Sequence, residues 1–136
     1  MANEVFVDTA SVVALASRQD QYHAAATALV PRFRSGTRMV TTRAICLEVG
    51  NTLASEQHRQ KAVELLAGME KDPQFEIVPL TDDLYADGMA LFTERRDKEW
   101  NLTDCVSFLA MRRRGIRLAL TADNHFRQAG FEPLLT

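Results

Sequence analysis

Short apolar runs alternate along this chain with longer stretches in which apolar residues recur every three or four positions. Val5-Phe6-Val7 is β-branched and aromatic, ends in Asp8-Thr9, and gives way to helical composition over residues 11–17. Residues 20–34 begin with an acid and carry apolar or alanine positions at helical spacing, with Gly36 as a stop. A strand follows over 39–42. Residues 43–55, with Ile45, Leu47, Val49 and Leu53, read as one helix, and 56–69 as another that ends before Asp72-Pro73. Residues 75–78 form a strand closed by Pro79. Thr81-Asp82-Asp83 caps a helix reaching about Arg96, with Leu84, Met89, Leu91 and Phe92 on its apolar face. Thr103 is the expected cap of a helix over 104–114, which Gly115 ends. Residues 118–121 form the next strand, a short helix runs through Phe126, and a last strand lies near 132–134. Strands alternating with helices predict a three-layer α/β fold, its central sheet mainly parallel and flanked by helices, with right-handed crossovers.

Size adds that 136 residues suit one domain, spanning 1–136 with no linker. With 46% hydrophobic and 25% charged residues, the composition is that of a globular protein. No apolar run reaches the ~18 residues that span a bilayer. The first residues, Met1-Ala2-Asn3-Glu4, lack the positive charge of a signal peptide. A cytoplasmic location without membrane contact is the resulting expectation. A net charge of −2 argues against a protein that coats nucleic acid by bulk electrostatics, so any RNA contact must be local. Cys46 and Cys105 fit neither a redox pair nor a zinc-ligand spacing and read as small buried hydrophobes.

The chemistry lies in the acids. Parallel sheets bind ligands at the carboxyl ends of their strands, near the point where strand order reverses. Asp8 ends the first strand and Asp123 follows the fourth. Asp104 opens a helix, where the dipole and free N–H groups favour an ionised carboxylate. Glu48 sits one to two turns into the helix after the second strand, with Asn51 on the same face. Aspartates at chain reversals also serve as ordinary caps, so each taken alone has a structural reading. Together, four converging carboxylates repel one another unless a cation neutralises them, which makes sense chiefly as a site for Mg²⁺ or Mn²⁺. A metal-activated water there can attack a phosphodiester, with no serine, histidine or cysteine nucleophile required.

These residues resemble the PIN-domain nucleases, specifically the VapC-type toxins of bacterial toxin–antitoxin pairs. The matching stretches are residues 5–9, 43–51 around Glu48, 100–108 around Asp104, and 120–131 around Asp123, in the same order along nearly the whole chain. The resemblance implies a PIN-like sheet with Asp8, Glu48, Asp104 and Asp123 as catalytic, metal-binding carboxylates. It implies Thr9, Thr103 and Thr121, with Asn51, as supporting polar groups, and an endoribonuclease that hydrolyses RNA. It also implies a small antitoxin protein, whose arginine would pair with the acids. The family includes RNA-processing nucleases outside toxin pairs, a second use the residues leave open.

Other residues have plainer readings beside sharper ones. Arg112-Arg113-Arg114 ends a helix, where cations are favoured, and reads as a solvated face. Arg43, Arg95, Arg96 and Lys98 flank the segments leading to Glu48 and Asp104 and are the candidate RNA contacts. Trp100 could stack a base, although a lone Trp before a helix is usually a core anchor. His125 reads as a solvent-edge residue, His23 and His58 as exposed helix positions, and Asp82, Asp83 and Asp97 as caps or surface charges. Many apolar positions between Tyr22 and Met69 suggest a homodimer. Two enzyme classes are disfavoured. A haloacid-dehalogenase phosphatase needs a second acid two residues after the first, where Ala10 stands, and a phospho-receiver domain needs a late lysine, yet none follows Lys98. A non-catalytic RNA- or protein-docking module remains the alternative, and it has no reason to gather four acids.

Overall fold

The computed structural model describes residues 3–33 and 36–135. Strands β1 (Asn3–Val7), β2 (Thr37–Thr42), β3 (Phe75–Val78), β4 (Leu118–Leu120) and β5 (Glu132–Pro133) pair in the order β3-β2-β1-β4-β5. Every neighbouring pair is parallel, so the mainly parallel expectation becomes all-parallel among the described residues. Such sheets need both faces covered, and the apolar run Val5, Phe6 and Val7 that ends β1 is accordingly buried throughout.

The covering helices are α1 (Thr9–Ala16), α2 (His23–Leu29), α3 (Arg43–Thr52), α4 (Glu56–Lys71), α5 (Asp82–Glu94), α6 (Leu102–Arg114) and α7 (Asn124–Gln128). The helix expected over 20–34 is shorter. Asp20 Oδ1 accepts a 2.8 Å hydrogen bond from Tyr22 N in a tight turn before α2, and the segment carrying Pro31 tightens into a 3₁₀ turn, Val30–Phe33. Residue 34 lies outside the described residues. The cap of α6 is also corrected. It is Asn101, whose side chain accepts from Asp104 N at 2.7 Å while Asp104 Oδ2 accepts from Asn101 N at 3.1 Å. Gly115 ends α6 with φ 69°, a conformation natural to glycine, and Ile116 N closes the turn on Met111 O at 2.9 Å.

Beneath the carboxyl edge of the sheet, Phe108 of α6 stands edge-on to Trp100 and to Phe126, with ring centroids 5.0 Å apart in each case. Phe126 also meets Phe6 of β1 at 6.1 Å. Each such pair contributes about 0.5–1.5 kcal/mol beyond area burial, and the chain of rings fixes α6 and α7 relative to β1. Trp100 is therefore the core anchor, its indole N–H donating to Gln128 Oε1 at 2.9 Å. Residues 112–114 are exposed, as a solvated face requires, and two of them also tie elements together. Arg114 bonds Glu4 of β1 and Glu76 of β3, and Arg113 bonds Asp83 and Asp87 of α5.

Candidate functional site

The chain steps outward from β1 to β2 to β3 and then returns to lay β4 on the opposite side of β1, so strand order reverses between β1 and β4. A crevice opens at that point in sheets of this kind. In register, Val7 lies beside Leu120, which sets Asp8 and Thr121, the next residues, side by side. The result is a 2.6 Å hydrogen bond from Thr121 Oγ1 to Asp8 Oδ2. The crevice is a cleft of about 260 Å³ whose lining includes Asp8, Glu48, Asp104 and Asp123. All four expected acids are thus brought together, each from a different segment.

Each acid is held by its local backbone. Asp8 caps α1, its Oδ1 accepting from Ser11 N at 2.9 Å and Ser11 Oγ at 2.8 Å. Burial pushes its carboxyl up to about 6, against the opposing pull of the Thr121 and Ser11 bonds and with a further push from the charge of Asp123. Asp104 is also raised, by burial first and then by Asp123, while Asn101 N and His125 pull it down. Asp123 caps α7 by accepting from His125 N at 2.9 Å on Oδ1. Glu48 accepts a short hydrogen bond from the Thr9 hydroxyl. These aspartates cap their helices and line the cleft at the same time. The α7 cap uses Oδ1 of Asp123, and the capping box uses Oδ2 of Asp104, so the second oxygen of each is left for another partner.

His125 stands at the solvent edge, its side chain 30% exposed, and is also part of the cluster. Its Nδ1 lies 2.9 Å from Asp104 Oδ2 and 3.5 Å from Asp123 Oδ1. One ligand atom from each of Asp104, Asp123 and His125 falls within 4.8 Å of the others, close enough to share one cation. Asp8 and Glu48 line the same cleft outside that tight group. Asp20 lines it too, along with Ser107, whose buried hydroxyl donates to Thr103 O at 2.9 Å. Sequence reading missed both, and only the α1–α2 turn carries Asp20 back to the site.

The supporting hydroxyls are partly as expected. Thr9 and Thr121 bond the acids directly, and Thr103 lines the cleft. Asn51 does not join them: it is exposed and borders a neighbouring groove beside Leu47 and Tyr85. Two of the candidate RNA contacts are committed elsewhere, Arg43 to Glu70 and Arg95 to Asp97, with Arg95 also 5.0 Å above the Trp100 ring. Lys98 lies 4.0 Å from Asp97. His23 is half-buried, its Nδ1 bonding Ala14 O at 2.7 Å, and His58 is exposed. Both cysteines are buried with raised thiol values, Cys105 to about 11, which makes them inert as nucleophiles.

No helix among the described residues is long and apolar enough to cross a membrane. A curated relative, the 23S rRNA-specific endonuclease VapC20 of Mycobacterium tuberculosis, is 28% identical over 127 residues, covering 93% of this chain and 95% of its own. The crystal structure of that protein, described as a Sarcin-Ricin loop cleaving toxin, matches with a TM-score of 0.85 at 25% identity, over 93% of this chain and 95% of that one. FitAcB from Neisseria gonorrhoeae shares the fold at a TM-score of 0.62 and 16% identity, over 96% of each chain. The PIN-domain family model matches residues 5–132, and the chain belongs to that family.

Proposed function

We propose that this chain is a Mg²⁺- or Mn²⁺-dependent endoribonuclease, a single nuclease unit over residues 1–136 that acts as the toxin of a toxin–antitoxin pair in the cytoplasm. The observation that carries the reading is the meeting of Asp8, Glu48, Asp104 and Asp123 in one cleft at the β1–β4 reversal. The donors are carboxylate oxygens with one imidazole nitrogen at the margin, a set that suits a hard divalent cation. When bound, such an ion supplies a water of lowered pKa and neutralises charge on the departing oxygen.

The chain's own part is positioning. Ser11 and Thr121 fix both oxygens of Asp8, Thr9 orients Glu48, and the Asn101 box aims Asp104 into the cleft. These groups hold a phosphodiester in line with an attacking water, and no side chain forms a covalent bond to RNA. The half-buried cleft suits a flexible, unpaired strand better than a duplex. The relatives make the sarcin–ricin loop of 23S rRNA the first RNA to test. Inhibition by a small antitoxin follows from the same acids, because an inserted arginine would pair with them. A homodimer is proposed through the apolar face where Leu47 and Tyr85 are 62% and 46% exposed.

The test is cleavage of that loop with mapping of the new 5′ ends. Cutting should require Mg²⁺ or Mn²⁺, stop in excess EDTA, and fall by orders of magnitude in Asp8→Asn and Asp104→Asn. Equal rates in EDTA, or in those variants, would falsify the metal-site mechanism. Harmless expression of an active chain, with no small reading frame beside it, would favour the RNA-processing use.

A further inference from the structure

The acidic cleft shares lining residues with two neighbouring grooves, and the two differ in chemistry. One shares Glu48 and Thr103 with the cleft and contains Leu47, Leu80, Tyr85 and Val106 but no cation. The other shares Val13 and Thr52, runs between α1 and α4, and contains Arg18, His58 and Lys61. Arg18 and Lys61 also border the next chamber along, between α2 and α4, so both stand on the wall common to two adjoining hollows. Both are exposed, and neither forms an ion pair among the described residues.

Resting on the RNA-cleaving reading above, we propose that the α1–α4 groove is the path of the RNA strand flanking the cut bond, and that Arg18 and Lys61 contact its phosphates. A polyanion entering four acids is repelled everywhere except at the metal, so its flanking phosphates gain most from cations just beyond the cleft. The apolar groove offers none. The groove of α1 and α4 offers two with no competing carboxylate bound to them, whereas Arg43 and Arg95 are held by Glu70 and Asp97. The distance is suitable as well: the eight residues of α1 carry the chain about 12 Å from the acids before Arg18. Helix α4 then presents Gln57, His58 and Lys61 along one side of the groove, Lys61 one turn beyond Gln57. Phosphate contacts of this kind position the strand and carry no sequence information, so the loop's shape, not these cations, selects the substrate.

The test uses the full chain carrying Asp104→Asn, expected to hold RNA without cutting it, with a fluorescein-labelled sarcin–ricin hairpin and a labelled short oligouridine. Anisotropy titrations across a KCl series give the salt slope. Arg18→Ala/Lys61→Ala should weaken binding of both RNAs about tenfold and reduce the slope by about 1.4, roughly 0.7 for each lost contact to a single strand. Arg18→Lys/Lys61→Arg should restore the slope, and Arg113→Ala should leave it unchanged. In the cleaving parent the double alanine variant should raise KM and leave kcat alone, as expected for uniform binding. A parent-like slope and KM in the double variant, while the parent binds and cuts RNA, overturns the assignment. So does a parent-like slope together with loss, in native mass spectrometry, of a complex with an adjacently encoded small protein, which makes the groove a protein seat. A parent that neither binds nor cuts either RNA overturns the nuclease reading itself.

Discussion

Asp8 shows how a single residue is asked to do opposing things. The residue is 6% exposed, and burial raises its carboxyl to about 6 from the ordinary 3.8. Because the folded value is the higher one, the native chain binds more protons than the unfolded chain between those values. Metal-free stability therefore falls as pH rises through that window, and the penalty is fully present above about pH 6. It amounts to at most about 3 kcal/mol, and the Thr121 bond, which favours the ionised form, already holds it below what burial alone would impose. Asp8→Asn should then raise the melting temperature in EDTA near neutral pH, leave it little changed near pH 4, and abolish cleavage. A variant that melts below the parent near neutrality would refute the burial penalty. Thr121→Val keeps the β-branched shape but removes the donor to Asp8 and the acceptor for Asp123 N. Isothermal titration should show Mn²⁺ affinity reduced by about 10–100-fold. The three aspartates were legible because each follows a strand end or opens a helix, and Glu48 because it is an acid set among apolar residues one to two turns into α3. The role of His125 was not, since nothing local says that α7 turns its ring toward Asp104, twenty-one positions earlier in the chain.

At the scale of elements, strand and helix types were readable from periodicity, and the errors fall where a polar side chain redirects the backbone. Asn101 with Asp104 is a reciprocal cap, and the competing hydroxyl of Thr103, two residues further on, misplaced the helix start by two residues. Asp20 likewise delays α2 by its own turn. The contact between α5 and α6 was invisible in sequence. A Cβ on Gly88 would stand 2.7 Å from Val106 Cγ2 and 3.4 Å from its Cα, so glycine there lets the two helices approach. The obstructing atom belongs to a stiff, buried β-branched side chain and cannot swing away. Gly88→Ala should destabilise the chain by about 1–3 kcal/mol in denaturant titrations. Val106→Ala added to it should recover much of that loss, giving a favourable coupling in the double-mutant cycle. Additive losses would show that the close approach is not the cause. Because α6 carries Asp104, the single variant should also lose activity beyond what its unfolded fraction explains.

For the molecule as a whole, the decisive fact is that Asp8, Glu48, Asp104 and Asp123 come from four segments that meet only when the sheet is complete. A parallel sheet in the order β3-β2-β1-β4-β5 needs long crossovers, so these acids are brought together at considerable chain entropy and against mutual repulsion. In the unfolded chain they are far apart and bind a divalent ion weakly. An ion that binds the folded form alone stabilises it by mass action, by about 2.7 kcal/mol when its concentration is a hundred times the dissociation constant. In a domain of this size that corresponds to a melting-temperature rise of roughly 10 °C. Scanning calorimetry should therefore show Mn²⁺ or Mg²⁺ raising the transition of the parent in a concentration-dependent way, and EDTA reversing it. The increment should be smaller below about pH 6, where protons compete for Asp8. Asp8→Asn should show the reverse pattern of the parent: a higher transition without metal and little further rise with it. A parent whose transition ignores metal at saturating concentration, at a pH where it cuts RNA, would mean that the four acids do not hold an ion between them.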